Sequence, residues 1–221
     1  MNCWKSLDKA LSLSNLRGLI LFLFLYIAFS LLFLVVAHSL FLNSPDYAAW
    51  LYAALTLPLL IATIVYTKLG KGRVSERLYL SRKNLTLRGM AYGSLLLVIM
   101  LLLSISLTIL FSLLKINIKT NASILLAGVP AWFYLYIVII EPINEEFFFR
   151  AFLVPRIGII FSAVLFGAAH VGSGFTFQID AFFALVFGLL GGYILKKTRS
   201  LYPVLAAHIL FNLINAAIYI L

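Results

Sequence analysis

Thirteen residues, Glu141-Pro-Ile-Asn-Glu-Glu-Phe-Phe-Phe-Arg-Ala-Phe-Leu153, carry three carboxylates and a guanidinium inside a stretch otherwise apolar enough to lie in lipid. An ionisable group at the bilayer centre costs about 2.5 to 3.5 kcal/mol on insertion scales, so such groups turn toward a bundle interior and mark function. Four of them this close together require other helices to pack around the segment. Two later stretches suit that role, Phe166-Gly-Ala-Ala-His170 and His208-Ile-Leu-Phe-Asn212, each setting a histidine on a strongly apolar helix.

The rest of the chain supplies the helices. Residues are 64% apolar and 11% charged, with a mean hydropathy of +1.10, values of a polytopic membrane protein and not of a water-soluble domain. Several apolar runs reach the ~20 residues a helix needs to cross about 30 Å of hydrocarbon, and the period-2 alternation of a barrel is absent. The fold predicted is all-α, a polytopic transmembrane helical bundle of about seven or eight helices in which residues 1–221 form a single integral membrane domain. Spans are expected near residues 18–42, 47–67, 88–114, 124–153, 157–171, 177–195 and 201–221. The motifs fall in the second half, about 124–221.

A net charge of +10 does not indicate nucleic acid here, because the cations fall between apolar runs, as the positive-inside rule expects. The densest group, Lys68, Lys71, Arg73, Arg77, Arg82, Lys83 and Arg88 against Glu76, marks a cytoplasmic loop and puts the N-terminus on the same side; it reads first as a solvated basic loop and only second as a dock for anionic lipid headgroups. Localisation in the cell membrane follows as an expectation. The one cysteine, Cys3, leaves no partner for an intramolecular disulfide and no thiol nucleophile within the membrane.

Pro130 and Pro142 each remove a backbone donor and free a carbonyl one turn earlier, so a bend facing protein or trapped water is expected at each. Neighbours on a helix point about 100° apart, so Glu145 and Glu146 face different surroundings. Glu146 shares a face with Arg150 four residues on and is expected to pair with it, which leaves Glu145, with Glu141 a turn before it, for chemistry. A Glu, two His and an Asn from three helices would converge on a small polar cavity with the inventory for hydrolysis: a base for water, a group to orient or protonate, and donors for an oxyanion. One geometric tension remains. The cations at 150–156 put Glu145 near the cytoplasmic side while His170 lies about 20 Å along the next helix, which requires either a strongly tilted fifth span or a non-helical dip at Val171-Gly-Ser-Gly174.

Pro142-Ile-x-Glu145-Glu146-x-x-Phe149-Arg150, then Phe166-x-x-x-His170, then His208-x-x-x-Asn212, resembles the three ordered motifs of the CAAX-processing and bacteriocin-processing intramembrane endopeptidases, the glutamate-type family that includes the prenyl-protein endopeptidase. The likeness covers about residues 140 to 215. It implies a metal-independent peptidase without a cofactor, acting on a peptide or a prenylated CAAX-type protein in the lipid bilayer. It further implies that Glu145 activates water with help from His170, that His208 and Asn212 stabilise the oxyanion, and that Glu146 and Arg150 support the site. Ala151 stands where the family has glycine, and Thr198-Arg-Ser200 replaces its glycine-containing turn.

Three other readings use the same residues. Glu145, His170 and His208 are a permissible set of three metal ligands, although the His-Glu-x-x-His signature is missing. Ser173 near His170 does not form a recognisable nucleophile arrangement. A transporter or scaffold, including a bacteriocin-immunity type, would bind an ion, lipid or peptide in the polar cavity without cutting it, but no inverted repeat is visible. His38 reads as interfacial, Asp180 as a helix-boundary residue, and Gly188-x-x-x-Gly192 as a close helix contact.

Overall fold

The structure is a computed structural model that describes residues 13–70, 72–115, 130–171 and 179–220. Among these residues the chain is helical with no strand. The helices are α1 (Leu13–Phe41), α2 (Tyr47–Lys68), the single turn α3 (Val74–Arg77), α4 (Leu87–Leu113), the long run α5 (Ala131–Ala169), α6 (Ile179–Thr198) and α7 (Tyr202–Ile220). Of these, α1, α2, α4, α5 and α6 are long and apolar enough to cross a membrane, and α7 is a shorter apolar helix. The protein is an integral membrane bundle of helices.

Small residues decide which helices approach closely. The buried side of α2 is Ala49, Ala53, Ala54, Pro58, Ala62, Thr63 and Thr67, a stripe that lets α5 come near. On α6, a Cβ at Gly188 would sit 2.9 Å from Ala163, and one at Gly192 would sit 2.8 Å from Ile159, so the Gly-x-x-x-Gly spacing is the contact with the second part of α5. Gly93 of α4 lies against the backbone of Pro203, where a Cβ would meet the carbonyl oxygen at 2.4 Å. Between these contacts lies a core of Leu96, Met100, Phe149, Phe152, Phe166, Phe187, Val204 and Ala207. The chain caps α4 with Thr86, whose hydroxyl accepts from the Gly89 N–H at 3.0 Å.

The long run α5 is not one rod. It alternates α-helix (Ala131–Leu135), π-helix (Tyr136–Ile140), α-helix (Glu141–Glu145), π-helix (Glu146–Leu153) and α-helix (Val154–Ala169). Within the last piece Gly158 takes φ 86 and ψ 172, a conformation open in practice only to glycine, and the chain reverses there. Successive contacts follow an antiparallel hairpin: the Ser162 hydroxyl donates to the Phe149 carbonyl at 2.6 Å, the rings of Phe149 and Phe166 are 4.9 Å apart, and His170 reaches Glu145.

This reversal removes the tension over depth. Glu145 lies thirteen residues before Gly158 and His170 twelve after it, so two arms of nearly equal length bring them level. Neither a strong tilt nor a dip is needed, and Glu145 sits deeper than the cations at 150–156 suggested, because the turn comes after them. Residues 172–174 of the proposed dip, and Ser173 with them, lie outside the described residues. Pro130 makes no bend in the described helix: it precedes α5, and its carbonyl accepts from the Phe133 N–H at 2.9 Å. Residues 124–129, where an earlier helix start was expected, also lie outside them. His38 has a polar neighbour that its own helix does not supply, the Tyr47 hydroxyl at 3.1 Å from Nδ1.

Candidate active site

Glu146 and Arg150 both point into the protein, with side chains 0% and 1% exposed. Glu146 Oε2 lies 3.3 Å from Arg150 Nε, the expected pair four residues apart. The guanidinium carbon stands 3.9 Å from the centre of the Phe166 ring and 5.1 Å from that of Phe187. The buried cation is therefore held by one carboxylate and two aromatic faces. Gly191 lies beside it and lets α7 approach, since a Cβ there would sit 2.8 Å from Val204 Cγ1.

Glu146 has a second partner, brought by α7. The Nδ1–H of His208 donates to Glu146 Oε1 at 2.9 Å, which ties His208 to the Glu146–Arg150 pair. His170, at the C-terminal end of the second arm of α5, is oriented by a local bond: its Nδ1–H donates to the Phe166 carbonyl at 2.8 Å. Phe166 thus sets both the ring of His170 and one face of the Arg150 site.

Glu145 stands between the two imidazoles. Its Oε1 is 3.4 Å from His170 Nε2 and its Oε2 is 3.5 Å from His208 Nε2. Both Nδ1 atoms carry the proton that their bonds require, so in the neutral rings both Nε2 atoms are lone-pair acceptors. Two ring acceptors and a carboxylate then face one another. Such a group attracts a donor, and water with its two hydrogens is one. The side chain of Glu145 is 12% exposed and that of His170 is 30% exposed, so the opening lies on the His170 side. For His208 to donate from Nε2 it must be an imidazolium, and Glu146 at its Nδ1 is the counter-charge for that state.

Asn212 does not touch this group through any bond that it makes. Its Nδ2 donates to the carbonyl of Ile137 at 3.3 Å. The reason lies in Pro142. In the π segment the Glu141 N–H bonds five residues back to the Tyr136 carbonyl, so the next amide, that of Pro142, would serve Ile137. Proline has no N–H, and the Asn212 amide takes its place. The carbonyl expected to be freed at Pro142 is thus real, and one of the two Nδ2 hydrogens of Asn212 is spent on it.

A neighbouring polar group was missed from the sequence. Glu141 turns toward Tyr52, Thr56 and Asn144. Asn144 is fully buried and its Nδ2 donates to the Thr56 carbonyl at 2.7 Å, while the Thr56 and Tyr136 hydroxyls lie 2.7 Å apart. Buried oxygens of Glu141 and Asn144 have no hydrogen-bond partner among the described residues. The signal was available: Tyr52 and Thr56 are four apart on an apolar helix, and Asn144 lies between two glutamates. The structure therefore brings together Glu145, Glu146, Arg150, His170 and His208, holds Asn212 to the backbone beside them, and gives Glu141 surroundings of its own. Among the described residues no three His, Cys, Asp or Glu side chains are grouped to hold a metal ion.

No curated protein and no solved structure matches the chain. Residues 127–214, which hold the hairpin, α6 and the histidine-bearing part of α7, match the family model described as type II CAAX prenyl endopeptidase Rce1-like. That segment, with the glutamate pair, both histidines and Asn212 inside it, is similar to the Rce1-like family of membrane endopeptidases.

Proposed function

We propose that the protein is a glutamate-dependent intramembrane endopeptidase of the cell membrane, with its N-terminus cytoplasmic, that removes the C-terminal tripeptide of prenylated CAAX-type substrates or processes a related peptide. The observation that carries this reading is the carboxylate of Glu145 flanked by the Nε2 atoms of two imidazoles whose Nδ1 protons are anchored on the far side of each ring. Glu145 takes a proton from a water that His170 helps to orient, and the hydroxide adds to the scissile carbonyl. The oxyanion is stabilised by His208 as imidazolium and by the second amide hydrogen of Asn212. As the tetrahedral intermediate collapses the C–N bond breaks, and Glu145 returns its proton to the leaving amine.

Cleavage of a farnesylated CAAX peptide by the purified protein tests the proposal, comparing wild type with Glu145→Gln and adding a strong chelator. Chelator-resistant cleavage that falls by about 10²- to 10⁴-fold in the variant is expected. Near-normal turnover in folded Glu145→Gln would overturn it. The anchored Nδ1 atoms also favour a second reading, since metal-bound imidazoles are oriented in the same way, and chelator-sensitive turnover would bring Glu145, His170 and His208 forward as ligands. Absence of cleavage of any peptide would favour a transporter or scaffold.

A further inference from the structure

The end of the bundle where α2 and α6 finish and α4 and α7 begin carries an excess of positive charge. Arg82, Lys83, Arg88, Lys196, Lys197 and Arg199 are all exposed there. The one acid described at that end is Glu76, which Lys83 meets at 3.6 Å. Leu85 and Leu87 stand among the cations and are 48% and 92% exposed. A water-facing basic loop does not need those leucines, and a nucleic-acid surface would leave them wet. Cations at headgroup level beside leucines at acyl level suit an anionic lipid.

The same segment is fastened to the turn that leads into α7. The Leu201 N–H donates to the Tyr79 carbonyl at 2.9 Å, the Tyr202 hydroxyl to the Leu80 carbonyl at 2.9 Å, and Asn84 Nδ2 to the Arg199 carbonyl at 2.8 Å. Leu78, Leu195 and Leu201 are buried together beneath it. Arg199 itself holds φ 55, a conformation glycine would adopt more easily, so the turn presents a cation where a small residue would relax the backbone. Whatever binds across Arg82, Lys83 and Arg199 therefore bears on the start of α7, and α7 carries His208.

We infer that Arg82, Lys83, Arg88 and Arg199, with Leu85 and Leu87, form a seat for an anionic phospholipid, and that filling it holds α7 in the position that sets His208 against Glu146. The seat stands apart from the peptidase reading, whereas its effect on catalysis rests on that reading. Wild type and an Arg82→Gln/Lys83→Gln/Arg199→Gln variant are compared in nanodiscs of phosphatidylcholine with and without phosphatidylglycerol. Lipid retained by the protein is read by native mass spectrometry, and cleavage of the farnesylated peptide is read alongside.

Wild type is expected to retain phosphatidylglycerol over phosphatidylcholine, and the variant to lose about fivefold of that preference per cation removed. Leu87→Ser is expected to weaken retention without changing charge. Equal retention by wild type and variant, or complete displacement by inorganic phosphate, would overturn the seat. Cleavage by wild type should rise with phosphatidylglycerol and cleavage by the variant should not; an equal response in both would overturn the coupling to α7. Preferential lipid retention with no cleavage by wild type in either lipid would refute the prenylated-CAAX reading of the substrate and leave the seat standing.

Discussion

At the scale of single residues, Glu146 is the member whose loss costs most, because both Arg150 and His208 lean on it. Removing one partner of a buried ion pair typically destabilises by about 3 to 5 kcal/mol. Glu146→Ala is therefore expected to lower resistance to thermal unfolding in detergent strongly, since Arg150 has no hydrogen-bond partner for any of its three nitrogens among the described residues. Arg150→Lys is expected to lose stability as well, by about 1 to 2 kcal/mol, because an ammonium cannot lie flat between the rings of Phe166 and Phe187. Glu145→Gln should unfold as wild type does, and a large stability loss there would mean that Glu145 is a structural strut. These assignments were legible from spacing: Glu146 and Arg150 four apart had to share a face, and Glu145 had to turn away. The bond from His208 to Glu146 was not legible. It joins positions 62 apart, and no local period records such a contact.

At the scale of elements, the hairpin in α5 depends on Gly158. A side chain at φ 86 and ψ 172 costs about 1 to 3 kcal/mol, so Gly158→Ala is expected to destabilise the bundle and to shift His170 relative to Glu145, seen as lost turnover in the protein that remains folded. Pro142 and Asn212 offer a sharper test. Asn212→Ala leaves the Ile137 carbonyl unpaired, and Pro142→Ala gives that carbonyl a backbone donor. The double variant is expected to recover the stability lost in Asn212→Ala, by about 1 kcal/mol or more, while any turnover it fails to recover measures the part Asn212 plays toward substrate. The sequence foretold the freed carbonyl, since proline always lacks the donor. It did not foretell the π register, which moves the carbonyl concerned from Val138 to Ile137 and so determines where Asn212 binds. The reversal at Gly158 was equally hidden, because a glycine in an apolar run reads as a packing contact as readily as a turn.

At the scale of the whole molecule, the order of helices was legible because lipid forces every backbone group to be satisfied within a helix, and apolar length then counts the helices. Which helices touch was less so. The contact between α4 and α7 rests on Gly93 meeting the Pro203 backbone, so Gly93→Ala is expected to separate the two helices and lower the unfolding temperature, with Gly93→Leu worse. The hairpin also fixes a length. Thirteen residues separate Glu145 from the reversal, a depth of about 20 Å at 1.5 Å per residue. On the proposed peptidase reading an extended polypeptide, advancing about 3.3 Å per residue, would need roughly six residues to follow an arm of that length to the carboxylate. On that reading the bundle would act as a ruler on the tether of its substrate: a globular cargo carrying its processing site on a shorter stalk would be stopped at the rim, however well its terminal residues fit.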